Sequence, residues 1–323
     1  MLNTKIFYSN NSLYDYGNSN ENKYFLKTAL AWNGSVTPKV IPRLVAVGFY
    51  SLFVVWISQI FPHFQISITP FEYSGAVLGL LLVLRVNAGM DRWWEARKIW
   101  GSIVNQSRNL AIIGQNYSSS DSSFRKHFLA WVSLWPHSMR EHLREEKSLE
   151  EGIELVGEEN QKKVVLEDHM PMYIGSKIAY LLNYMRKNGL DDFSFHQAEK
   201  ERSRLIDAIG ACERIKGTPI PLVVAIKVRR FIFLFLSLLP LALVAKTGWL
   251  TPLIVILTAY PLFSLDEIGL ELQSPFSRNS LSHLPLGLIC KNIEKNISSL
   301  VRFNLKEEMN LDSYKEESQV LEK

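Results

Sequence analysis

VIPRLVAVGFYSLFVVWISQI, from Val40 to Ile60, carries one charge, Arg43, close to one end. At about 1.5 Å of rise per residue the run is long enough to cross a hydrocarbon core of about 30 Å. A surface helix of a soluble protein keeps a polar face opposite its apolar stripe, whereas Leu44 to Ile60 has no charge on any face. This stretch predicts a membrane span and sets the frame for the rest of the chain.

Three further apolar runs follow. After a connector containing Pro62 and Pro70 comes FEYSGAVLGLLLVLRV, Phe71 to Val86, with one acid near its start and Arg85 at its end. FIFLFLSLLPLALVA, residues 231 to 245, and WLTPLIVILTAYPLFSL, Trp249 to Leu265, are separated by Lys246-Thr247-Gly248, and the last run ends at Asp266 and Glu267. At 15 to 17 residues these runs are short for spans and would also suit buried core helices. The flanking charges favour spans. Phe61 to Pro70 holds no Lys or Arg and the second hairpin only Lys246, while Lys39, Arg43, Arg85, Arg92, Lys227, Arg229 and Arg230 flank the opposite ends. By the positive-inside rule both termini and the middle region are cytoplasmic. The resulting division is a cytoplasmic N-terminal arm over 1–39, two spans over 40–86, a mainly helical cytoplasmic region over 87–230, two spans over 231–265, and a cytoplasmic C-terminal region over 266–323.

Composition narrows the class without deciding it. With 47% hydrophobic residues, 17 glycines and two cysteines among 323 residues, the chain is neither disordered, collagen-like nor a disulfide-stapled module. A formal charge of +4, from 36 basic and 32 acidic residues, is too weak to point to nucleic acid. Residues 1–39 are rich in Asn, Ser and Tyr and offer no apolar core for a cleavable signal peptide. Cys212 and Cys290 both fall on the reducing side and are expected as free, buried thiols.

Three segments carry candidate function. In the second run Gly75 and Gly79 form a GxxxG pair suited to close helix approach, and Ala76, Leu80 and Leu84 recur at i, i+4, i+8 on an adjoining face. That face either packs on another helix or lines a pore, where an apolar constriction gates by dewetting. RVNAGMDRWWEARKIW, Arg85 to Trp100, continues the run without a proline; Asp91 and Glu95 lie at i, i+4 with Arg92 beside Glu95. It reads as a solvated, salt-bridged helix, except that Arg85 stands at the membrane boundary, where a charge must be paired or face water. Pro219 and Pro221 force an extended or kinked segment around Ile220, either a plain connector or a projection into a central pathway.

LRVNAGMDRWWEARKIWG (Leu84 to Gly101), GACERIKGTPIPLVV (Gly210 to Val224), and SLDEIGLELQSPF with HLPLGLICKNIE (Ser264 to Glu294) together resemble the bestrophins of the bacterial and plastid-like branch. With the four spans, the similarity covers roughly residues 25 to 303, and the order and spacing of these stretches make it specific. The resemblance implies an all-α homopentameric ion channel with its pore on the fivefold axis. It implies a neck at Ala76, Leu80 and Leu84 and a cytoplasmic aperture at Ile220. Relatives usually carry bulkier or aromatic neck residues, and often an aromatic residue where Met90 follows Gly89. Animal members hold calcium with acidic side chains just after a Pro-Phe pair; here Pro275-Phe276 is followed by Ser277, Arg278, Asn279 and Ser280, so calcium activation through that site is not expected. The acids Glu307, Glu308, Glu316 and Glu317 read as a solvated tail.

Enzyme chemistry finds no support in the sequence. His137 and His142 lie five apart, unlike the i, i+4 pair of a helical zinc site, and neither a phosphate-binding glycine loop nor a nucleophile elbow is present. The expectation is therefore a passive channel, with no cofactor and no metal, conducting small anions such as chloride in a cell membrane or thylakoid-like membrane. Arg85 and Arg92 would attract anions if they face the pathway rather than pair with Asp91 or Glu95. The alternatives are a cation-conducting homologue and a non-conducting membrane scaffold. A secondary transporter is disfavoured, since the spans offer possible kinks at Pro240, Pro252 and Pro261 but no charge at depth.

Overall fold

A computed structural model describes residues 25–61, 66–118 and 121–321, with Lys27 and residues 304–321 given by backbone alone. Most of the N-terminal arm, Pro62, and the side chains of Glu307, Glu308, Glu316 and Glu317 thus lie outside the described residues. Among those described, the regular elements are all helical: α1 (Phe25–Ala29), α2 (Thr37–Ile60), α3 (Thr69–Asn116), α4 (Ser122–Arg144), α5 (Glu151–Val156), α6 (Glu158–Leu166), α7 (Met170–Lys187), α8 (Asp192–Gly217), α9 (Leu222–Thr247), α10 (Thr251–Glu271) and α11 (Leu286–Leu321). The chain divides into two compact units, one of residues 1–89 and 221–271, the other of residues 90–220 and 272–323.

The first unit contains α2, the start of α3, α9 and α10. Two of its helices, Thr37–Ile60 and Thr69–Asn116, are long and apolar enough to cross a membrane. Both α2 and α9 begin earlier than the apolar runs alone suggest, because Lys39, Arg43, Lys227, Arg229 and Arg230 continue the helices. Straight-chain basic residues are good helix formers, and Pro38 suits the first turn of α2, so charge ends the apolar run without ending the helix. The helices meet around Leu78, Leu82, Ile232, Leu236, Val255 and Ala259. α2 packs along α10, where Gly48 leaves room for Ile256: a Cβ there would meet Ile256 Cδ1 at 3.0 Å. Outside this small core the unit exposes large apolar side chains, among them Phe49, Phe53 and Trp56 of α2, Phe233 of α9 and Leu257 of α10. Exposed apolar surface on this scale marks a membrane or protein contact.

The second unit is built the opposite way, around a core that includes Trp100, Phe128, Trp131 and Trp135, all fully buried. Each such aromatic removes about 150–250 Å² from water, worth about 4–6 kcal/mol before entropy is counted. α7 approaches α4 and α8 through Gly175, where a Cβ would meet Ile206 at 2.8 Å and Trp135 at 2.9 Å. Buried charge in this unit is paired: the Arg140 guanidinium forks onto both Glu151 carboxylate oxygens at 3.0 Å and also donates to Glu141. Hydrogen bonding from His137, then from Arg140, holds the Glu151 carboxyl well below the usual carboxylate range, against the opposing effect of burial.

Candidate functional site

One face of α3 in the first unit is packed and the opposite face is bare. Leu78, Leu82, Arg85 and Gly89 are buried, at spacings of four, three and four residues. Two residues along a helix turn through about 200°, so Ala76, Leu80, Leu84 and Asn87 fall on the reverse side. All four are exposed, Leu80 at 61% and Leu84 at 56%, with Tyr73, Val77 and Val83 beside them. The three expected neck residues therefore share one apolar stripe that nothing in the chain covers among the described residues. The GxxxG pair does not seal a helix contact along its whole length: Gly75 lies against the Phe235 ring, but a Cβ on Gly79 would have nothing within 4 Å.

Arg85 belongs to the packed face. Its Nη1 lies 2.6 Å from Asp266 Oδ1, with side chains only 2% and 3% exposed, so it neither faces open solvent nor pairs with Asp91 or Glu95. Arg229 shares Asp266, donating from Nε to Oδ2 at 3.1 Å. Arg43 takes Glu267 at 3.1 Å and Lys39 takes Glu271. The C-terminal end of α10 thus gathers Lys39, Arg43, Arg85 and Arg229 onto Asp266, Glu267 and Glu271, a role that the residue order alone does not reveal. Burial explains it: a guanidinium out of water needs a carboxylate within reach.

In the second unit Ile220 stands half-buried in the short non-helical segment after α8. Arg92 holds that segment in place rather than facing solvent. Its guanidinium donates to the Ile215 and Thr218 carbonyls at the end of α8, two residues before Ile220, and to Gln273 O. Burial lowers the Arg92 pKa, partly offset by Glu95. Glu95 itself is bound by Arg214 at 2.9 Å, and Trp93 donates to Ser282 O at 2.6 Å. Arg92 thus ties the segment before Ile220 to α3 through backbone carbonyls.

Other candidates settle into structural places. After Pro275 and the buried Phe276 comes Arg278, paired with Glu146 at 2.9 Å. His142 does not approach His137 as a pair; its ring stacks on His169 at 4.3 Å, and both Nε2 atoms reach Glu213 Oε1, at 2.7 and 3.0 Å. These three side chains could hold a metal ion by spacing. His169 Nδ1, however, accepts the Met172 N–H at the start of α7, which leaves the ring proton on Nε2, 3.0 Å from Glu213 Oε1. A metal at His169 Nε2 would need the proton on Nδ1 and would cost α7 its cap. Cys212 and Cys290 are free and buried, as expected.

The family model described as Bacterial/Fungal Bestrophin protein matches residues 18–299. A voltage-dependent anion channel-forming protein of Synechocystis sp. is 31% identical over 297 residues, covering 90% of this chain and 96% of the relative. The voltage-dependent anion channel-forming protein YneE of Escherichia coli K12 is 30% identical over 275 residues, covering 84% of this chain and 90% of its own length. Among solved structures, a bacterial bestrophin homolog from Klebsiella pneumoniae superposes with a TM-score of 0.75 at 24% identity, over 81% of this chain and 98% of that one, a likeness of fold.

Proposed function

We propose, from the premise that the chain belongs to the bacterial/fungal bestrophin family, that it forms a voltage-dependent channel for small anions such as chloride. It is a membrane protein of a channel family, not an enzyme. Four spans, from α2, the first part of α3, α9 and α10, cross the bilayer, with both termini and the region between the second and third spans cytoplasmic. Five copies surround the pathway, with Ala76, Leu80 and Leu84 as its neck and Ile220 as its aperture.

The observation that carries this reading is the bare stripe of α3. A single-pass contact with lipid would account for exposure, but the same helix carries Asn87 on that stripe and continues into the charged segment beyond Gly89. A face that runs from apolar to polar along one line suits a water-filled path closing to an apolar constriction. Anions pass by width and hydration. The positive charge of Arg85 is fixed by Asp266, and Arg92 acts through the segment it anchors.

The test is the reversal potential of purified protein in a planar bilayer under a KCl gradient. A shift toward the chloride equilibrium potential is expected. A shift toward potassium would keep the pathway and overturn the anion assignment, and silence at all voltages would favour a scaffold.

A further inference from the structure

Between α2 and α9, and closed at one end by α10, lies a cavity of about 650 Å³ in the first unit, within the usual range for small-molecule sites. It has two chemically distinct ends. At one, Arg43, Arg229 and Asp266 line it; along the rest the walls are apolar, with Val47, Ile232 and Phe233 among them. Tyr50 and Ser237 close the far end on each other, the Tyr50 hydroxyl donating to the Ser237 carbonyl at 2.7 Å.

The charged end is not neutral. Among the described residues, Arg43, Arg85 and Arg229 pair with Asp266 and Glu267, three guanidiniums against two carboxylates. Arg43 and Arg229 remain close to half exposed while paired, so each keeps donors free for a further acceptor. Lys227 and Arg230 stand exposed on the same turns of α9. The apolar wall rises from Arg43 to Tyr50 on α2 and from Arg229 to Ser237 on α9, about 10–12 Å of helix. One leaflet's hydrocarbon is about 15 Å deep, so the trough spans most of it, with its guanidiniums at the headgroup level.

We infer that this trough binds one anionic phospholipid of the leaflet at the basic rim, with the headgroup phosphate on Arg43 and Arg229 and an acyl chain along the apolar wall. The inference rests on the reading of α2, α9 and α10 as membrane spans. Charge complementarity selects the headgroup, because an uncompensated guanidinium and a forked donor set favour a phosphate. A second cavity of about 420 Å³, between α3 and α9, has no charged residue in its lining, including Phe71, Leu78 and Leu234, and serves as an internal control.

The test is native mass spectrometry of the full-length protein with dioleoyl phosphatidylglycerol, dioleoyl phosphatidylcholine, or glycerol phosphate and inorganic phosphate alone. Phosphatidylglycerol should be retained over phosphatidylcholine, and the free phosphates should not compete, since they lack the chain. Arg43→Gln and Arg229→Gln should each weaken retention by about fivefold, the effect of one basic residue near an anionic surface. Ala46→Trp, which fills the trough, should abolish the preference, while Leu234→Trp in the second cavity should leave it intact. Equal retention of the two lipids, or an unaffected Ala46→Trp variant, would overturn the inference, as would a trough occupied by a neighbouring copy and retaining no lipid. Should Ala46→Trp fail to assemble, the two arginine variants and the lipid competition decide. Because the readout is bound lipid and not current, a failed channel assignment leaves this result interpretable.

Discussion

Asp266→Asn is the most searching test of how the first unit is held together. Asp266 forms an ion pair with buried Arg85 at 2.6 Å and accepts a hydrogen bond from Arg229 at 3.1 Å. Removing one partner of a buried pair leaves an uncompensated charge, and such changes cost about 3–5 kcal/mol. Arg229 has the exposure to turn toward solvent, so the cost falls mainly on Arg85. For a chain of this size 1 kcal/mol shifts the melting midpoint by about 2 °C, which places the loss at roughly 6–10 °C. The assay is thermal unfolding of detergent-solubilised protein by tryptophan fluorescence, beside the double variant Arg85→Met with Asp266→Leu. Replacing both partners by apolar groups is commonly neutral or stabilising, so the double variant should recover most of the midpoint. A midpoint within 1 °C of the parent for Asp266→Asn, or a double variant as unstable as the single one, would refute the pairing.

Three further outcomes follow from the second unit. Arg92→Ala should speed amide exchange at residues 215–220 and alter current rectification, and Arg92→Lys should not restore either, because an ammonium cannot bridge the Ile215 and Thr218 carbonyls as a planar fork does. The depressed pKa of Glu151 contributes stability that is present above its unfolded value of about 4.3 and is lost as pH falls below it, toward the folded value. Unfolding midpoints measured from pH 5 to pH 3 should therefore fall, and Glu151→Gln should be less stable at neutral pH with a shallower decline. Burial pushes the Cys212 and Cys290 thiols up to about 12, so a thiol reagent should modify neither until the protein unfolds.

Hydropathy made the helices of the first unit legible, because α2, α3, α9 and α10 each keep a long apolar run. The ends were less so: Lys227 to Arg230 read as a flank, yet they sit inside α9, since helix propensity and apolar content are separate properties. The stripe of Ala76, Leu80 and Leu84 was visible from its spacing, but spacing alone could not distinguish a packed face from a bare one. That depended on Leu78 and Leu82 being the side that α9 and α10 cover. Arg85 at a membrane boundary signalled a need for a partner, and the sequence offered Asp91 and Glu95 as neighbours. The partner that folding supplies, Asp266, is distant in sequence, so only tertiary packing could reveal it. The same holds for Arg92, whose acceptors are backbone carbonyls and leave no trace in residue type.

The proposed lining of the ion pathway by the bare stripe of α3 is open to a direct test. Cysteine substitution tests it directly, since Cys212 and Cys290 are buried and give no background. Leu80→Cys and Leu78→Cys channels would be recorded in planar bilayers before and after a negatively charged methanethiosulfonate reagent. Current through Leu80→Cys is expected to fall sharply on modification, while Leu78→Cys, on the packed face, is unaffected. An unchanged current at Leu80→Cys, with block appearing at Leu78→Cys, would contradict it.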